Sequence, residues 1–290
     1  MAWLALALVT ALFYGLQGVW TKWITRLVSG PAASWAIFAF AFPFLAVYLA
    51  VRGVPSVIEP AFWPALITNV AINLVSFYLY VSAIQRSDLG LTYPLLALTP
   101  ALVLPIEWLL LGDVPGPGGL GGILLVVAGV YLLNFNERRS GLLAPLAAVF
   151  RDPGARRMLA VALIWSISSV VDKVATVSSS TAFYGTLECG LLGLAFAPLV
   201  MRQDGGFGRA LSGRRGWLLA VQGFLFAAMF VAQMEALRRA LAAYVISIKR
   251  SGAVVTVLLG SLLFGEPRLR ERLTGTVVIL VGVLLIAIAS

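Results

Sequence analysis

Ten apolar stretches, each about the length of a membrane-spanning helix, constrain this chain more than any other feature of its sequence. A transmembrane helix needs about 20 consecutive and mainly apolar residues. Lipid offers no hydrogen-bond partners, so each stretch must satisfy its own backbone as a helix. The sequence predicts an all-α integral membrane protein of ten transmembrane helices, in one membrane domain over residues 1–290. These spans 1 to 10 cover residues 2–24, 33–51, 61–83, 90–111, 118–135, 157–177, 180–200, 216–237, 241–264 and 272–289.

Composition excludes a soluble protein and most kinds of catalytic site. Of the 290 residues, 61% are hydrophobic and 11% are charged, whereas a soluble domain has roughly 45–50% apolar and 25% charged residues. The chain has no His and a single Cys, Cys189, so neither a disulfide framework nor a zinc site is expected. We therefore predict no metal and no cofactor. Span 1 is not predicted to be a signal peptide, because it lacks a basic start and its apolar part is too long.

Positive charge predicts the orientation of the spans. The net charge is +9, and the cations are 18 Arg and 3 Lys. Fourteen Arg lie in connections after odd-numbered spans, and three lie after even-numbered spans. Because cationic loops stay in the cytoplasm, both termini are predicted to face the periplasm or the cell exterior, across the inner (cytoplasmic) membrane. The cations are spread over loops rather than gathered in a patch, so no nucleic-acid partner is predicted.

The two halves of the chain resemble each other, which predicts an internal repeat of residues 1–136 and 157–290. Each half holds five spans, an odd number, so the two copies are predicted to lie inverted in the membrane. Inverted repeats are typical of secondary transporters, with a substrate site near the midplane between the repeats. The matching pairs are Ala83/Ala236, Arg86/Arg239, Gly112-Asp113/Gly265-Glu266, Gly122/Gly275 and Gly129/Gly282 at an offset of 153, and Lys22/Lys173 at 151.

A duplicated motif carries a resemblance to a known family. Spans 4 and 5 read Leu-Leu-Leu-Gly-Asp at 109–113, followed by Gly122 and Gly129, and spans 9 and 10 read Leu-Leu-Phe-Gly-Glu-Pro at 262–267 before the second glycine pair. This pattern resembles the EamA-type signature of the drug/metabolite transporter superfamily, over essentially the whole chain. The resemblance implies a ten-helix transporter. The length and the aromatic-rich spans look most like the bacterial aromatic amino-acid exporters of the YddG type.

The sequence departs from that superfamily at two corresponding positions, one in each half. Its small multidrug-resistance members carry a membrane glutamate eight residues before a lysine, and the same count here leads to Tyr14 and Trp165. The resemblance therefore implies that the proton- and cation-binding carboxylate is absent from these two positions, which argues against a proton-coupled exporter of cationic drugs that uses this site. This favours a neutral or zwitterionic substrate, or facilitated movement down a gradient.

Four spans carry polar or amphipathic stripes at helical spacing. Steps of three and four residues place each set on one helix face, which in lipid turns inward, either to bond a neighbouring helix or to line water. The stripes occur in repeat partners, spans 1 and 6 and spans 3 and 8, so we predict a shared cavity. The stripes are Thr10, Tyr14, Gln17 and Thr21; Asn69, Asn73, Ser76 and Tyr80; Trp165, Ser168, Ser169 and Asp172; and Gln222, Phe226, Met229 and Gln233.

Aromatic residues and buried charges complete the predicted site. Mid-span aromatic rings either offer stacking faces to a ring-bearing substrate or simply pack. Lys249 is predicted to bind a substrate carboxylate, with internal pairing to Asp172, Glu188 or Glu235 as the alternative. The other membrane charges are Lys22, Glu107, Lys173 and Arg250. The predicted substrate-cavity residues are Tyr14, Gln17, Asn73, Phe77, Tyr78, Tyr80, Trp165, Ser169, Phe230, Gln233, Tyr244 and Lys249.

Glycines and prolines have predicted structural roles. Gly122 and Gly129, like Gly275 and Gly282, are seven residues apart and share a helix face, so both pairs are predicted to be helix-packing surfaces. Span 4 contains Pro94, Pro100 and Pro105. Prolines kink helices, and Pro94 and Pro100 are predicted gating residues, with a static kink as the alternative.

The sequence predicts a secondary carrier rather than an enzyme. We expect export of small organic metabolites, most of all amino acids including aromatic ones, by alternating access. The alternatives are a drug or other metabolite exporter of the same superfamily, or a channel-like facilitator. No catalytic constellation is present. The predicted partners are a small-molecule substrate and the lipid bilayer, without an obligate protein partner.

Overall fold

The computed structural model describes residues 2–86, 95–133, 152–203, 214–256, 259 and 269–289. Within these ranges the chain forms ten helices and no strand, and each helix falls within or largely overlaps one predicted span. The helices are α1 (Ala2–Ile24), α2 (Gly30–Arg52), α3 (Phe62–Arg86), α4 (Thr99–Leu111), α5 (Pro117–Leu133), α6 (Pro153–Val177), α7 (Thr181–Gln203), α8 (Arg214–Leu237), α9 (Ala242–Ser251) and α10 (Leu269–Ala289).

Six of these helices are long and apolar enough to cross a membrane, so the protein is a multi-pass membrane protein. They are α1, α2, α3, α6, α7 and α8, and shorter apolar helices occur in α4, α5 and α10. Local sequence sets where two of them begin. The Ser29 hydroxyl accepts a hydrogen bond from Ala32 N at 3.3 Å, and the Asp152 carboxylate accepts one from Ala155 N at 2.7 Å. Each side chain thereby caps the free N–H groups of a first helical turn.

Two helices that correspond in the repeat each contain a short turn at nearly the same point, and the backbone of Leu98 and Gly252 keeps right-handed helical angles. Residues 95–96 are helical, a turn follows at Ala97 and Leu98, and α4 then begins. In the second half α9 ends at Ser251, Gly252 forms a turn, and residues 253–256 are helical again. The two turns agree within one residue at the offset of the repeat. Span 4 was expected to be continuous from residue 90, but α4 begins only at Thr99.

Of the predicted gating pair, Pro100 lies in the first turn of α4, directly after the turn at Ala97 and Leu98. Pro105 is inside α4, and Pro94 lies outside the described residues.

The helices of the two halves pack against each other in reciprocal pairs. α2 contacts α7, α5 contacts α10, and α4 contacts α9, each with its own counterpart. The contact of α3 with α6 is matched by that of α8 with α1, and the contact of α4 with α6 by that of α9 with α1. Exchanging the halves therefore reproduces the contact pattern. The space between the halves is consequently lined by helices of both.

Glycines allow α5 and α10 to approach closely. A Cβ atom on Gly122 would lie 2.7 Å from Ile286 Cγ1 and 2.8 Å from Gly282 O. A Cβ on Gly129 would lie 2.9 Å from Gly275 O. Real Cβ atoms are essentially never nearer than 3.0 Å to such atoms. The four glycines thus lie where the two backbones face each other without intervening side chains.

Candidate functional site

A cavity between the two halves collects most of the residues expected at a substrate site. The cavity has a volume of about 70 Å³ and is partly open to solvent. Its lining comes from α1, α2, α3, α6, α7, α8 and α9. The lining residues are Tyr14, Gln17, Phe38, Asn73, Phe77, Tyr80, Trp165, Ser168, Ser169, Asp172, Glu188, Phe226, Met229, Phe230, Gln233, Met234, Ile246, Lys249 and Arg250.

Ten of the twelve predicted cavity residues line this space, and two lie elsewhere. Tyr78 is on the outside of the bundle, with 48% of its surface exposed. Tyr244 stacks on Trp3 at a centroid distance of 6.2 Å, and its hydroxyl lies beside Gly119 of α5. Both residues were chosen for their aromatic rings, and periodicity along a helix does not reveal which neighbour a ring meets.

One side of the cavity is basic. Arg250 is buried and donates to Tyr14 Oη at 2.7 Å and to Thr99 Oγ1 at 3.2 Å. The Arg250 guanidinium carbon also lies 5.5 Å from the centre of the Trp165 ring, within cation–π range. Lys249 donates to Gln233 Oε1 at 2.6 Å. Helices α4 and α9 therefore meet at this basic group.

Another part of the cavity is acidic and rich in hydrogen-bond donors. Asn69 Nδ2 donates to Asp172 Oδ1 at 2.5 Å and to Glu188 Oε1 at 3.2 Å. Asn73 Nδ2 donates to the same Glu188 oxygen at 2.8 Å. Tyr184 Oη donates to Asp172 Oδ1 at 2.6 Å. All five side chains are buried, and together they join α3, α6 and α7.

Aromatic rings form the wall between these groups. Trp165 lies 5.1 Å from Tyr80 and 5.4 Å from Phe77, centre to centre. Phe38 packs edge-on against Phe77 at 4.7 Å and against Phe226 at 5.3 Å. Trp165 Nε1 donates to Ser76 Oγ at 3.0 Å, which holds the indole in one orientation. The cavity thus combines opposite charges with flat apolar surfaces.

The alternative for Lys249 was an internal ion pair with Asp172, Glu188 or Glu235, and the structure shows no such pair among the described residues. Among the described residues, no carboxylate lies within ion-pair distance of Lys249 or Arg250. Glu235 instead pairs with Arg239 at 2.6 Å near the end of α8. The Lys249 ammonium therefore faces the cavity, held by a neutral amide.

Lys173 belongs to a separate network at an end of the bundle. It forms ion pairs with Glu107 at 2.9 Å and with Asp113 at 2.8 Å. The Glu107 carboxylate also accepts the N–H groups of Ala242 and Ala243, at 2.6 and 2.9 Å. Glu107 thereby caps the first turn of α9, where a negative charge is favoured. Asp172 and Lys173, although adjacent in sequence, serve different sites.

Sequence reasoning missed several lining residues. Glu188 and Arg250 were noted as membrane charges, but nothing placed them in the cavity. Phe38 had no signal, because α2 is apolar all round and shows no polar stripe. A search that combined mid-span charges with the polar stripes of other spans would have found Glu188 and Arg250.

A bundle of membrane helices around a buried polar cavity is the architecture of a small-molecule transporter. The EamA-like transporter family matches residues 1–135 and again residues 153–288. The chain belongs to this family, which confirms the resemblance drawn from the duplicated motif. It is a membrane transporter of the drug/metabolite superfamily and not an enzyme.

Other comparisons concern the fold alone. A crystal structure of a protein with 16% sequence identity superposes with a TM-score of 0.79, covering 99% of this chain and 97% of that chain. No curated protein matches the sequence.

Proposed function

We propose that the protein is a secondary carrier that exports amino acids, including aromatic ones, across the cytoplasmic membrane by alternating access. The observation that carries this proposal is the pairing of opposite charges in one cavity: Lys249 and Arg250 on one side, Asp172 and Glu188 on the other. A free amino acid presents one carboxylate and one ammonium group. The cavity offers each of them a partner of opposite charge.

Lys249 is the proposed partner of the substrate carboxylate. Arg250 donates to the Tyr14 hydroxyl and to Thr99. Among the described residues, Lys249 donates to the neutral Gln233 and lies 5.5 Å from the centre of the Tyr14 ring. An ammonium group has three N–H donors, so Lys249 can bind a carboxylate without losing that contact.

The aromatic residues of the cavity favour substrates whose side chain carries a ring. Trp165, Tyr14 and Phe77 line the space beside the charges, and rings of this kind stack on aromatic ligands. This arrangement agrees with the resemblance to aromatic amino-acid exporters of the YddG type. A drug or other metabolite of similar shape and charge is the alternative substrate.

The proposed mechanism rests on the repeat. We infer ten transmembrane helices in two inverted repeats, 1–136 and 157–290, with odd-numbered connections in the cytoplasm and both termini outside. Carrier binding sites commonly lie between two such repeats, and here the Arg250–Thr99 hydrogen bond joins α9 of the second half to α4 of the first. Rocking one repeat against the other would open the site to each side in turn.

Counterflow in liposomes tests the carrier mechanism. We expect saturable uptake of radiolabelled L-tryptophan that is accelerated by unlabelled tryptophan inside, as for a carrier. A panel of amino acids, cationic dyes and nucleosides separates the substrate classes. Conductance without counterflow would indicate a channel-like facilitator and would contradict the proposal.

The variant Lys249→Gln tests carboxylate binding. A hydrogen bond to a charged group contributes about 1.5–3 kcal/mol, so tryptophan affinity should fall roughly 10- to 100-fold. Tryptamine, which lacks the carboxylate, should bind the variant and the original protein equally. Arg52→Gln, at the exposed end of α2, is the control and should leave both affinities unchanged. An equal loss for tryptophan and tryptamine would argue against a specific contact with the carboxylate.

A further inference from the structure

We propose that Gln233 sets the substrate class of the cavity: its neutral amide holds Lys249 without cancelling the lysine charge, so that the cavity selects molecules that carry a carboxylate. The inference rests on the proposed amino-acid transport and names the residue on which the preference for amino acids over amines depends. Because Gln233 acts through Lys249, it is a positioning residue. A carboxylate in its place would make the same cavity favour amines.

The contact between these two side chains is short and belongs to the cavity wall. Gln233 of α8 is 5% exposed, and its Oε1 accepts a hydrogen bond from Lys249 Nζ of α9 at 2.6 Å. Both residues line the cavity. The Tyr14 ring of α1 has its centre 5.5 Å from the same ammonium group, within cation–π range. Contacts from two other helices therefore hold the lysine charge in place at the cavity.

The orientation of the Gln233 amide follows from the chemistry of its partner. An ammonium group donates hydrogen bonds and accepts none, so the amide oxygen must face Lys249. The amide nitrogen carries two N–H donors, and among the described residues it has no acceptor. Since Gln233 lines the cavity, these donors are left for a ligand. They can bind the same carboxylate as the Lys249 ammonium group.

Lys173 shows what a different choice of partner does to a lysine of this bundle. It lies 2.9 Å from Glu107 and 2.8 Å from Asp113, so acids of the protein itself balance its charge. Among the described residues, no acid is within ion-pair distance of Lys249. A cation bound to a neutral amide keeps its full attraction for a substrate carboxylate. The two lysines therefore differ in function through their acceptors.

The acids that line the same cavity are held by other partners. Asp172 and Glu188 accept hydrogen bonds from side chains of α3 and α7. Gln233 meanwhile binds the ammonium group of Lys249. The basic and acidic groups thus remain separate, as the charged ends of an amino acid are. Removal of the Gln233 acceptor would release Lys249 from this arrangement.

The repeat assigns the amide–lysine pair to one half of the chain. At the offset of 153 residues, Gln233 corresponds to Tyr80 and Lys249 to Leu96. Tyr80 also lines the cavity but offers a phenol, and Leu96 is buried among apolar side chains. Within the described part of the chain, this pair therefore gives a bound carboxylate one fixed side of the cavity.

The isosteric variant Gln233→Glu tests this assignment. It removes the amide N–H donors and places a negative charge beside Lys249. Binding of radiolabelled L-tryptophan and tryptamine to the purified protein in detergent measures the result. We expect tryptophan affinity to fall roughly 10- to 100-fold, as for loss of a hydrogen bond to a charged group. Tryptamine, which has the ammonium group alone, should bind about two- to fivefold more tightly, as for one added ion pair at a partly solvated site.

Gln85→Glu is the matched control for the added charge. Gln85 lies at the exposed end of α3, away from the cavity lining. The same chemical change there should leave both affinities unaltered. A gain in tryptamine affinity that is confined to Gln233→Glu also shows that this variant is folded.

A double-mutant cycle measures whether Gln233 acts through Lys249. Gln233→Leu removes the amide without adding a charge, and it should weaken tryptophan binding about 10-fold in the original protein. In a Lys249→Gln background the same substitution should cost much less, because the charge that the amide positions is already absent. Equal losses in the two backgrounds would show a role in the fold alone and would overturn the inference.

The outcomes separate this inference from the proposed function. Tryptophan counterflow in the original protein, with an unchanged preference for tryptophan over tryptamine in Gln233→Glu, would overturn the inference alone. Equal weakening of both ligands in a Gln233→Glu protein that keeps the original unfolding midpoint would do the same. Absence of tryptophan counterflow in the original protein would overturn the proposed function and this inference with it.

Discussion

At the scale of single residues, Arg250 shows how this bundle holds a charge inside the membrane. Its guanidinium donates to two hydroxyl groups on other helices and lies 5.2 Å from the centre of the Tyr14 ring. Hydrogen bonds and aromatic faces together offset part of the cost of burying a cation. The positive charge is thereby held in a fixed position next to Lys249.

Substitution of Arg250 by lysine should destabilise the protein. One ammonium group on a shorter stem does not reproduce the planar fork that reaches both Tyr14 and Thr99. Loss of one charged hydrogen bond costs about 1.5–3 kcal/mol, so we expect a fall of several degrees in the thermal unfolding midpoint in detergent. Arg239→Lys, at an exposed ion pair, should change it little. An unaltered midpoint for Arg250→Lys would contradict a structural role of the fork.

At the scale of elements, the repeat glycines lie in the contact between α5 and α10, where the two backbones approach closely. Both helices are apolar over Pro117–Val130 and Thr274–Ala289, so burial of apolar surface gives no preferred face in lipid there. Small residues supply that preference, because they let two backbones approach and gain dispersion contacts. The seven-residue spacing puts both glycines of a pair on the contacting face.

Two adjacent glycines provide a matched test of this contact. A Cβ on Gly122 would lie 2.7 Å from Ile286, whereas a Cβ on Gly121 would lie 3.5 Å from Leu285, an ordinary contact. We expect Gly122→Ala to cost about 1–3 kcal/mol through overpacking. Gly121→Ala should be neutral or gain about 0.5–1 kcal/mol from helix propensity. Thermal unfolding of both variants measures the difference, and equal midpoints would rule out tight packing at Gly122.

At the scale of the whole molecule, reciprocal contacts between the halves create the cavity. The charged residues of the cavity all belong to the second half, whereas their hydrogen-bond partners Tyr14, Asn69 and Asn73 come from the first half. The two halves therefore act as one unit. The loop arginines, most of which follow odd-numbered spans, predict an orientation in the membrane.

Cysteine labelling checks that orientation. Leu27, in the α1–α2 connection, and Val57, in the α2–α3 connection, are exposed at 41% and 70%. In a background where the buried Cys189 is replaced by Ala, we expect an impermeant maleimide to label Val57→Cys on intact cells. Leu27→Cys should react only after permeabilisation. The reverse pattern would invert the proposed topology.

The helical stretches and many inward faces were predictable from sequence because both are local properties. A span is recognised from its own apolar content, and a stripe such as Trp165, Ser169 and Asp172 from its own spacing. Tyr78 shows the limit of this reasoning. It is next to Phe77 in sequence, yet it points outward, because adjacent residues of a helix point about 100° apart.

What the sequence determined by itself was the membrane class, the all-helical fold, the two-copy family motif and most of the polar faces. Each depends on the transfer of a short segment into lipid or on spacing along one helix. Only the tertiary structure decided which charges meet: Lys173 with Glu107 and Asp113, Lys249 with Gln233, and Asp172 with Glu188 across one amide. These contacts join residues of different helices or, for Asp113, of a helix and a connection. They depend on how helices of the two halves are packed and rotated against each other, which no single segment encodes.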